Sequence, residues 1–148
     1  AADGLVLGSP VYIDHVTGQM KIFIDRLADA IHYQAFTGKY GCSVSTPWSS
    51  GGDEGVSYLN HLLYSLGAYA LDGMSVALED DETAIFDARQ RALNIGRRLV
   101  ESIRNREPCP EQEKIIAENR AFFARIGKEN RLWRPREYEG WIRRGWIR

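Results

Sequence analysis

Residues 3–26 constrain the fold of this chain most, because they read as a buried strand, a polar loop and an amphipathic helix in that order. The strand over 3–8 holds the apolar run Leu5-Val6-Leu7, which is continuous rather than alternating and is typical of a strand buried on both faces. A loop over 9–15 follows, and apolar side chains then recur at spacings of three and four. That spacing predicts a helix over about 18–32, with Thr17 as its N-cap. Open α/β sheets bind ligands where such loops leave the strands.

The same strand-and-helix pattern recurs twice further along the chain. Strands are predicted over 40–46 and 68–78, and helices over about 54–66 and 82–105. Alternating strands and helices predict an α/β fold with a parallel sheet that carries helices on both faces. Another helix is predicted over 111–130, with one apolar face formed by Ile115, Phe122 and Ile126.

Composition narrows the function classes. The chain has 148 residues, 44% of them hydrophobic, and a net charge of −1, which suits one globular domain and does not indicate nucleic-acid binding. Its apolar stretches are too short for a membrane span. The two cysteines, Cys42 and Cys109, are too few for a disulfide framework, and the three histidines lack metal-ligand spacing. A cytoplasmic protein without a metal site is therefore expected.

The last segment, residues 131–148, differs from the rest of the chain. Six arginines against two glutamates give it a local charge of +4, interleaved with aromatic residues. Arginines and stacking aromatics are compatible with a nucleic-acid surface. The opposite charge of the remaining chain favours packing on the domain or on a neighbouring subunit, with arginines at the rim. The anchoring residues would be Trp133, Tyr138, Trp141 and Trp146.

Two motifs at the start of the chain resemble those of a known family. SPVY at 9–12, followed by V-T-G-Q-M-K-x-F-I-D-R at 16–26, is similar to the third strand, flavin loop and helix of the flavodoxin-like NAD(P)H-dependent FMN reductases. The iron–sulfur flavoproteins and their cluster-free relatives are the most similar subgroup. The Ser-, Thr- and Gly-rich stretch over 46–52 resembles the family's loop after strand four, and W-R-P-R-E-Y-x-x-W at 133–141 resembles its tail.

The resemblance implies a three-layer αβα fold with a parallel sheet, of which only strands 3–5 are present. A flavodoxin-like sheet has the strand order 2-1-3-4-5. Strands 1 and 2, the phosphate loop and the cysteine cluster of the iron–sulfur members would therefore precede residue 1. Residues 1–108 would be the C-terminal part of the domain, and 109–148 a helix and tail. The strand over 3–8 would be an edge, in a fragment of a longer protein or in a sheet completed by another chain.

The resemblance also implies which residues contact FMN, and it does so for two walls of a flavin site. Backbone groups of the first loop would meet the ring edge, and Trp48 would stack on the ring or a substrate. The predicted contacts are Ser9, Pro10, Val11 and Tyr12 on one wall and Thr46, Pro47, Trp48, Gly51 and Gly52 on the other. An ordinary turn, and an interface role for Trp48, remain open alternatives. His15 is a candidate proton donor or a solvated loop residue.

By this resemblance the protein is an FMN-dependent NAD(P)H oxidoreductase of the flavin or quinone reductase type. Its partners would be FMN, a reduced nicotinamide as donor and a small-molecule or protein redox partner, in a dimer or tetramer. No nucleic acid or membrane is expected. The alternative is a non-catalytic flavodoxin-like interaction module that does not bind FMN on its own.

Overall fold

The computed structural model describes residues 2–77, 79, 82–129 and 131–147, without the side chains of residues 82–84. The strands are β1 (Gly4–Tyr12), β2 (His15–Val16), β3 (Tyr40–Thr46) and β4 (Tyr69–Ser75). The helices are α1 (Gly18–Asp25), α2 (Ala28–His32), α3 (Gly52–Ser65), α4 (Glu82–Asn105), α5 (Pro110–Glu129) and α6 (Pro135–Arg143). No helix in the described part of the chain is long and apolar enough to cross a membrane.

The four strands form one sheet in the order β2-β1-β3-β4. Strands β1, β3 and β4 are parallel, which confirms the predicted α/β fold, and Ser9 of β1 pairs with Ser45 of β3. The short strand β2 was not predicted. It pairs antiparallel with the end of β1, through Tyr12 with His15. Within the described residues, the rest of the outer edge of β1 carries no strand, as expected for an edge strand.

Strand β1 is longer than predicted. The sequence placed Ser9 to Tyr12 in a loop, whereas the structure continues the strand to Tyr12. The reason is the parallel pairing with β3, which runs as far as Pro10 opposite Thr46. Proline lacks an N–H donor, and it is tolerated here because β1 is an edge strand. The predicted loop is thereby reduced to the two residues between β1 and β2.

The prediction that β1 is buried on both faces is wrong. Burial alternates along the strand: Leu7 and Val11 are buried, whereas 63% of Val6 is exposed. Leu7 packs with Leu59 of α3 in the main core, so one face is covered. On the other face, α4 approaches at Gly4, where an added Cβ would lie 2.9 Å from Ile103 Cδ1. Coverage by a single helix leaves the middle of that face open.

The predicted helix over 18–32 is two helices. Thr17 caps the first as expected, because its hydroxyl accepts a hydrogen bond from Met20 N at 3.2 Å. Helix α1 ends at Asp25, and the bond from Leu27 N to Ile24 O at 2.9 Å spans three residues rather than four. This tighter turn redirects the chain before α2 begins.

Helices α3 and α4 lie close to their predicted positions. Leu59, Leu63 and Leu66 are buried, and Gly67 follows α3 with a φ of 84° that suits glycine. Helix α4 begins at Glu82, as predicted. Part of α4 stays uncovered, with exposed side chains at Ile85, Phe86, Leu93 and Val100.

The prediction for the buried face of α5 is wrong by one residue. Ile115 and Phe122 are exposed, whereas Ile116 and Gly127 are buried. The buried face meets α3 and α6, because α5 lies between them. Near its start, α5 also reaches β4: the Gln112 amide accepts from Ala70 N at 2.9 Å and donates to Ala70 O at 2.8 Å.

The tail packs on the rest of the domain mainly through Trp141. Trp141 in α6 is 1% exposed, and its Nε1 donates to His32 O in α2 at 3.1 Å. An added Cβ on Gly127 would lie 2.2 Å from the Trp141 ring, so the two helices meet closely. Tyr138 and Trp146 are partly buried. Trp133 is 72% exposed, so it does not pack on the described domain, and its packing on a neighbouring subunit stays a prediction.

Candidate functional site

The two loops predicted to form a site lie side by side at one edge of the sheet. Strands β1 and β3 end together, because Pro10 pairs with Thr46. The turn after β1 and the loop after β3 also touch. A Cβ added to Gly51 would lie 2.7 Å from Asp14 Oδ1 and 3.2 Å from Val11 Cγ1. The parallel arrangement therefore brings both predicted walls into one continuous surface.

A two-residue hairpin joins β1 to β2 on the first wall. Both central residues have left-handed backbones, with φ of 53° at Ile13 and 57° at Asp14. This is the pattern of a type I′ turn, in which Asn-Gly is the usual pair. A β-branched residue is strained there, and Ile13 is 98% exposed, so the described residues of this chain give its side chain almost no cover. The turn therefore exposes the apolar side chain of Ile13 to solvent at the candidate site.

Ser9 lies beneath this wall rather than on its surface. Its buried hydroxyl donates to Pro10 O at 2.7 Å and accepts from Thr17 N at 3.1 Å. These bonds fasten the end of β1 to the start of α1. The Ser9 side chain therefore positions the hairpin, and its hydroxyl is already engaged within the protein.

The second wall is also fixed by buried hydrogen bonds and packing beneath its surface. Ser45 Oγ donates to Gly52 O at 2.5 Å, and Pro47 is fully buried. An added Cβ on Gly52 would lie 1.8 Å from Ser75 Oγ, which belongs to β4. The backbone of Trp48 is fixed to the segment after β4, because the Trp48 carbonyl accepts a hydrogen bond from Glu79 N at 3.1 Å. The loop is thus anchored to β3 and β4 while its outer residues face solvent.

The glycines of this loop are explained by protein contacts. Gly51 has a φ of 79°, and the space for its side chain is filled by Asp14. At Gly52 that space is filled by Ser75. Both residues must be glycine for the loop to pack, whatever the site binds.

The predicted contact residues divide into an outer and an inner set. Pro10, Tyr12 and Trp48 face solvent, and Trp48 is 69% exposed. Thr46 and Gly51 are half-buried between the sets. The inner set, which supports the surface, consists of Ser9, Val11, Pro47 and Gly52. A proline and two aromatic side chains above the ends of parallel strands fit a flat, largely apolar ring such as a flavin.

His15 lies next to Tyr12, its partner across the hairpin. Its Nδ1 accepts a hydrogen bond from Val16 N at 3.0 Å, so the neutral ring carries its proton on Nε2. The ring packs edge-on against Tyr58 of α3, with 4.5 Å between centroids. His15 therefore presents its Nε2–H as an oriented hydrogen-bond donor on an exposed side chain.

An open cavity of about 700 Å³ lies beside the hairpin on the α3 side. The sequence did not predict this cavity. Its polar lining comes from both sides of the touching loops and includes Asp14, His15, Asp53, Glu54 and His61. The signal that could have revealed it is the acidic pair at the start of α3, which follows the predicted loop directly.

Comparison with known proteins places the chain in a family. The sequence profile described as NADPH-dependent FMN reductase matches residues 1–83. The chain is 28% identical over 148 residues to an iron-sulfur flavoprotein of Archaeoglobus fulgidus, covering 99% of this chain and 66% of that protein. It is 23% identical over 115 residues to an iron-sulfur flavoprotein of Clostridioides difficile, covering 77% of this chain and 51% of that protein. The chain thus spans between half and two-thirds of the length of these relatives.

The fold is shared with a solved structure. A flavodoxin, WrbA-like protein from Agrobacterium tumefaciens superposes with a TM-score of 0.59 at 22% identity, over 71% of this chain and 68% of that one. This similarity confirms the flavodoxin-like architecture predicted from the SPVY motif and its helix. The match of more than half the chain to the family profile shows that the protein belongs to the NADPH-dependent FMN reductase family.

Proposed function

We propose that this chain supplies the ring-binding side of an FMN site in an NAD(P)H-dependent oxidoreductase of the flavin or quinone reductase type. One observation carries the proposal. The exposed residues Pro10, Tyr12 and Trp48 lie at the edge of the sheet where parallel strands end, and membership of an FMN reductase family makes a flavin the expected ligand there. Bound FMN supplies hydride and electron transfer, while the protein orients it and tunes its surroundings.

The supporting residues give this surface its shape before any ligand binds. Ser9 fixes the hairpin against α1, and Ser45 fixes the second loop against β3. Preformed walls reduce the entropy lost on binding. We assign Ser9 and Ser45 to positioning, and contact with the ring to Tyr12 and Trp48.

His15 is the proposed hydrogen-bond donor to the acceptor as it is reduced. Its Nε2–H is the free donor of the neutral ring, because Nδ1 is occupied by Val16 N. The packing against Tyr58 limits how far the ring can turn. We propose a reduced nicotinamide as the electron donor, a quinone-like molecule or a redox protein as the acceptor, and a homo-oligomeric assembly in the cytoplasm.

The test compares two exposed tryptophans. FMN is titrated into the purified protein, and binding is followed by the flavin absorption band and by fluorescence quenching. Trp48→Ala is expected to weaken FMN binding about three- to tenfold, the value of a lost aromatic stack. Trp133→Ala is the matched control, because Trp133 is equally exposed but lies in the tail. NADH and NADPH oxidation by the FMN-loaded protein then tests the donor.

Two outcomes would contradict the proposal. If neither this chain nor a longer chain that contains it takes up FMN, the non-catalytic interaction module is the better description. If Trp133→Ala weakens binding as much as Trp48→Ala, the flavin does not lie on the surface described here. For His15, replacement by glutamine is expected to lower kcat with little change in FMN affinity.

A further inference from the structure

Helices α2 and α6 bring together three side chains of metal-binding type that do not belong to the candidate flavin site. They are Asp29 and His32 of α2 and Glu137 of α6. One ligand atom from each lies within 4.8 Å of the other two. No second group of three such side chains meets this condition in the described part of the chain. Sequence spacing did not indicate it, because Glu137 follows His32 by 105 residues.

The distances suit a shared ion. His32 Nδ1 lies 3.2 Å from Glu137 Oε1. Bonds of about 2.0–2.2 Å to a tetrahedral metal place neighbouring ligand atoms roughly 3.3 Å apart. These two atoms already have that separation as a hydrogen-bonded pair, and a bound metal would replace the proton that they share. Asp29 precedes His32 by three residues and shares its helix face, so a side-chain rotation brings its carboxylate to the same point.

The surroundings hold the imidazole and leave access for an ion. The His32 ring packs against Phe123 with 5.1 Å between centroids, and its backbone oxygen is bound by Trp141. The Glu137 side chain is only 12% exposed. Two cavities of about 220 and 400 Å³ meet at Glu137, one lined by His32 and the other by Asp29. An ion can enter from either cavity, and water can complete its coordination.

Arg134 is the one cation that already contacts this group among the described contacts. Its Nη1 lies 2.6 Å from Glu137 Oε1, and its guanidinium stacks on Trp133 at 4.7 Å. A carboxylate accepts at about four positions on two oxygens, so Arg134 can remain bonded to Glu137 outside the metal. Carboxylates that bind metals usually have such an outer partner. Arg134 is nevertheless a competitor, which sets the expected affinity below that of a dedicated structural zinc site.

We propose that Asp29, His32 and Glu137 bind a divalent transition-metal ion, with Zn²⁺ as the reference ion. One imidazole nitrogen and two carboxylates form a donor set for Zn²⁺ and its neighbours, whereas Ca²⁺ requires six to eight oxygens. The ion links α2 to α6 and so holds the tail on the domain.

The test uses Co²⁺, whose visible d–d absorption reports its coordination, together with equilibrium dialysis of Zn²⁺. The chelator-treated protein is expected to bind one ion per chain. Asp29→Asn, His32→Gln and Glu137→Gln should each weaken binding about 100-fold or more, since losing a ligand costs more than losing an outer partner. Asp25→Asn and His61→Gln are the matched controls, because both residues are exposed and lie outside the group.

A second readout separates metal binding from simple destabilisation. Bound Zn²⁺ should slow tryptic cleavage in the arginine-rich tail of the unmodified protein and of both controls, but not of the three ligand variants. Circular dichroism of each variant shows whether it folds. Absence of saturable binding to the unmodified protein would overturn the proposal, and so would a folded ligand variant that keeps the original affinity.

Discussion

Replacing Ile13 by asparagine is expected to make this protein more stable, although most substitutions do the opposite. Ile13 has a φ of 53° at the first position of the hairpin between β1 and β2. An L-residue in the left-handed region loses roughly 1–2 kcal/mol, whereas asparagine adopts this region routinely. Because 98% of Ile13 is exposed, the change removes almost no burial.

The expected gain is about 1 kcal/mol, which corresponds to a rise in Tm of about 2–4 °C for a chain of this size. Thermal and urea unfolding followed by circular dichroism measure it. Ile22→Asn is the control, since Ile22 is also exposed but lies in α1 with ordinary helical geometry. Isoleucine and asparagine have similar helix propensities, so the control should change stability by less than about 0.5 kcal/mol.

The result also separates stability from function at the site. If the exposed Ile13 side chain contacts a ligand, Ile13→Asn should raise Tm and weaken FMN or acceptor binding together. A neutral or destabilising effect of Ile13→Asn would refute the reasoning, because it would mean that the turn is not strained or that the side chain is covered.

Three further predictions follow from burial and charge. Trp141→Ala should lower the free energy of unfolding by about 3–5 kcal/mol in urea melts, because Trp141 is almost fully buried; a loss below 1 kcal/mol would contradict this. Burial raises the pKa of both thiols, so access decides the rates: in the native protein the buried Cys42 should react with an aromatic disulfide reagent much more slowly than the half-buried Cys109; equal rates would contradict it. The hydrogen bond from Ser102 holds the pKa of Glu107 below its ordinary 4.5, so its stabilisation is complete above pH 4.5 and is lost as pH falls through the lower folded value. Glu107→Gln should flatten the stability profile below pH 4.5 in urea melts, and an unchanged profile would refute the assignment.

The sequence predicted the order and type of the main elements because each has a clear pattern of apolar residues. It could not predict β2, since a two-residue hairpin is usually signalled by Asn-Gly, and here the turn is Ile13-Asp14. The offset in α5 has a similar cause. Each apolar position there has an apolar neighbour, as at Ile115 and Ile116, and the helical period alone does not decide which of the two is buried. The contact with α3 decides it.

The loops of the candidate site could be predicted because the carboxyl ends of parallel strands share one edge. The sequence could not show which residues of these loops face outward. Ser9 looks like a binding residue in the sequence, but its hydroxyl joins β1 to α1. Trp133 and Trp141 look equivalent as anchors. Only the fold shows that Gly127 leaves room for Trp141 alone.

The two edges of the sheet differ in their capacity to accept another strand. At β4 the amide of Gln112 occupies both the donor and the acceptor of Ala70, as a neighbouring strand would. At β1 the two-residue strand β2 covers the end at Tyr12, and the outer side of the residues from Gly4 to Pro10 has no partner strand within the described chain. A further strand would therefore pair with β1, and one of its two ends would lie next to the candidate site. Such a strand would extend the sheet and add residues to the candidate site at the same time.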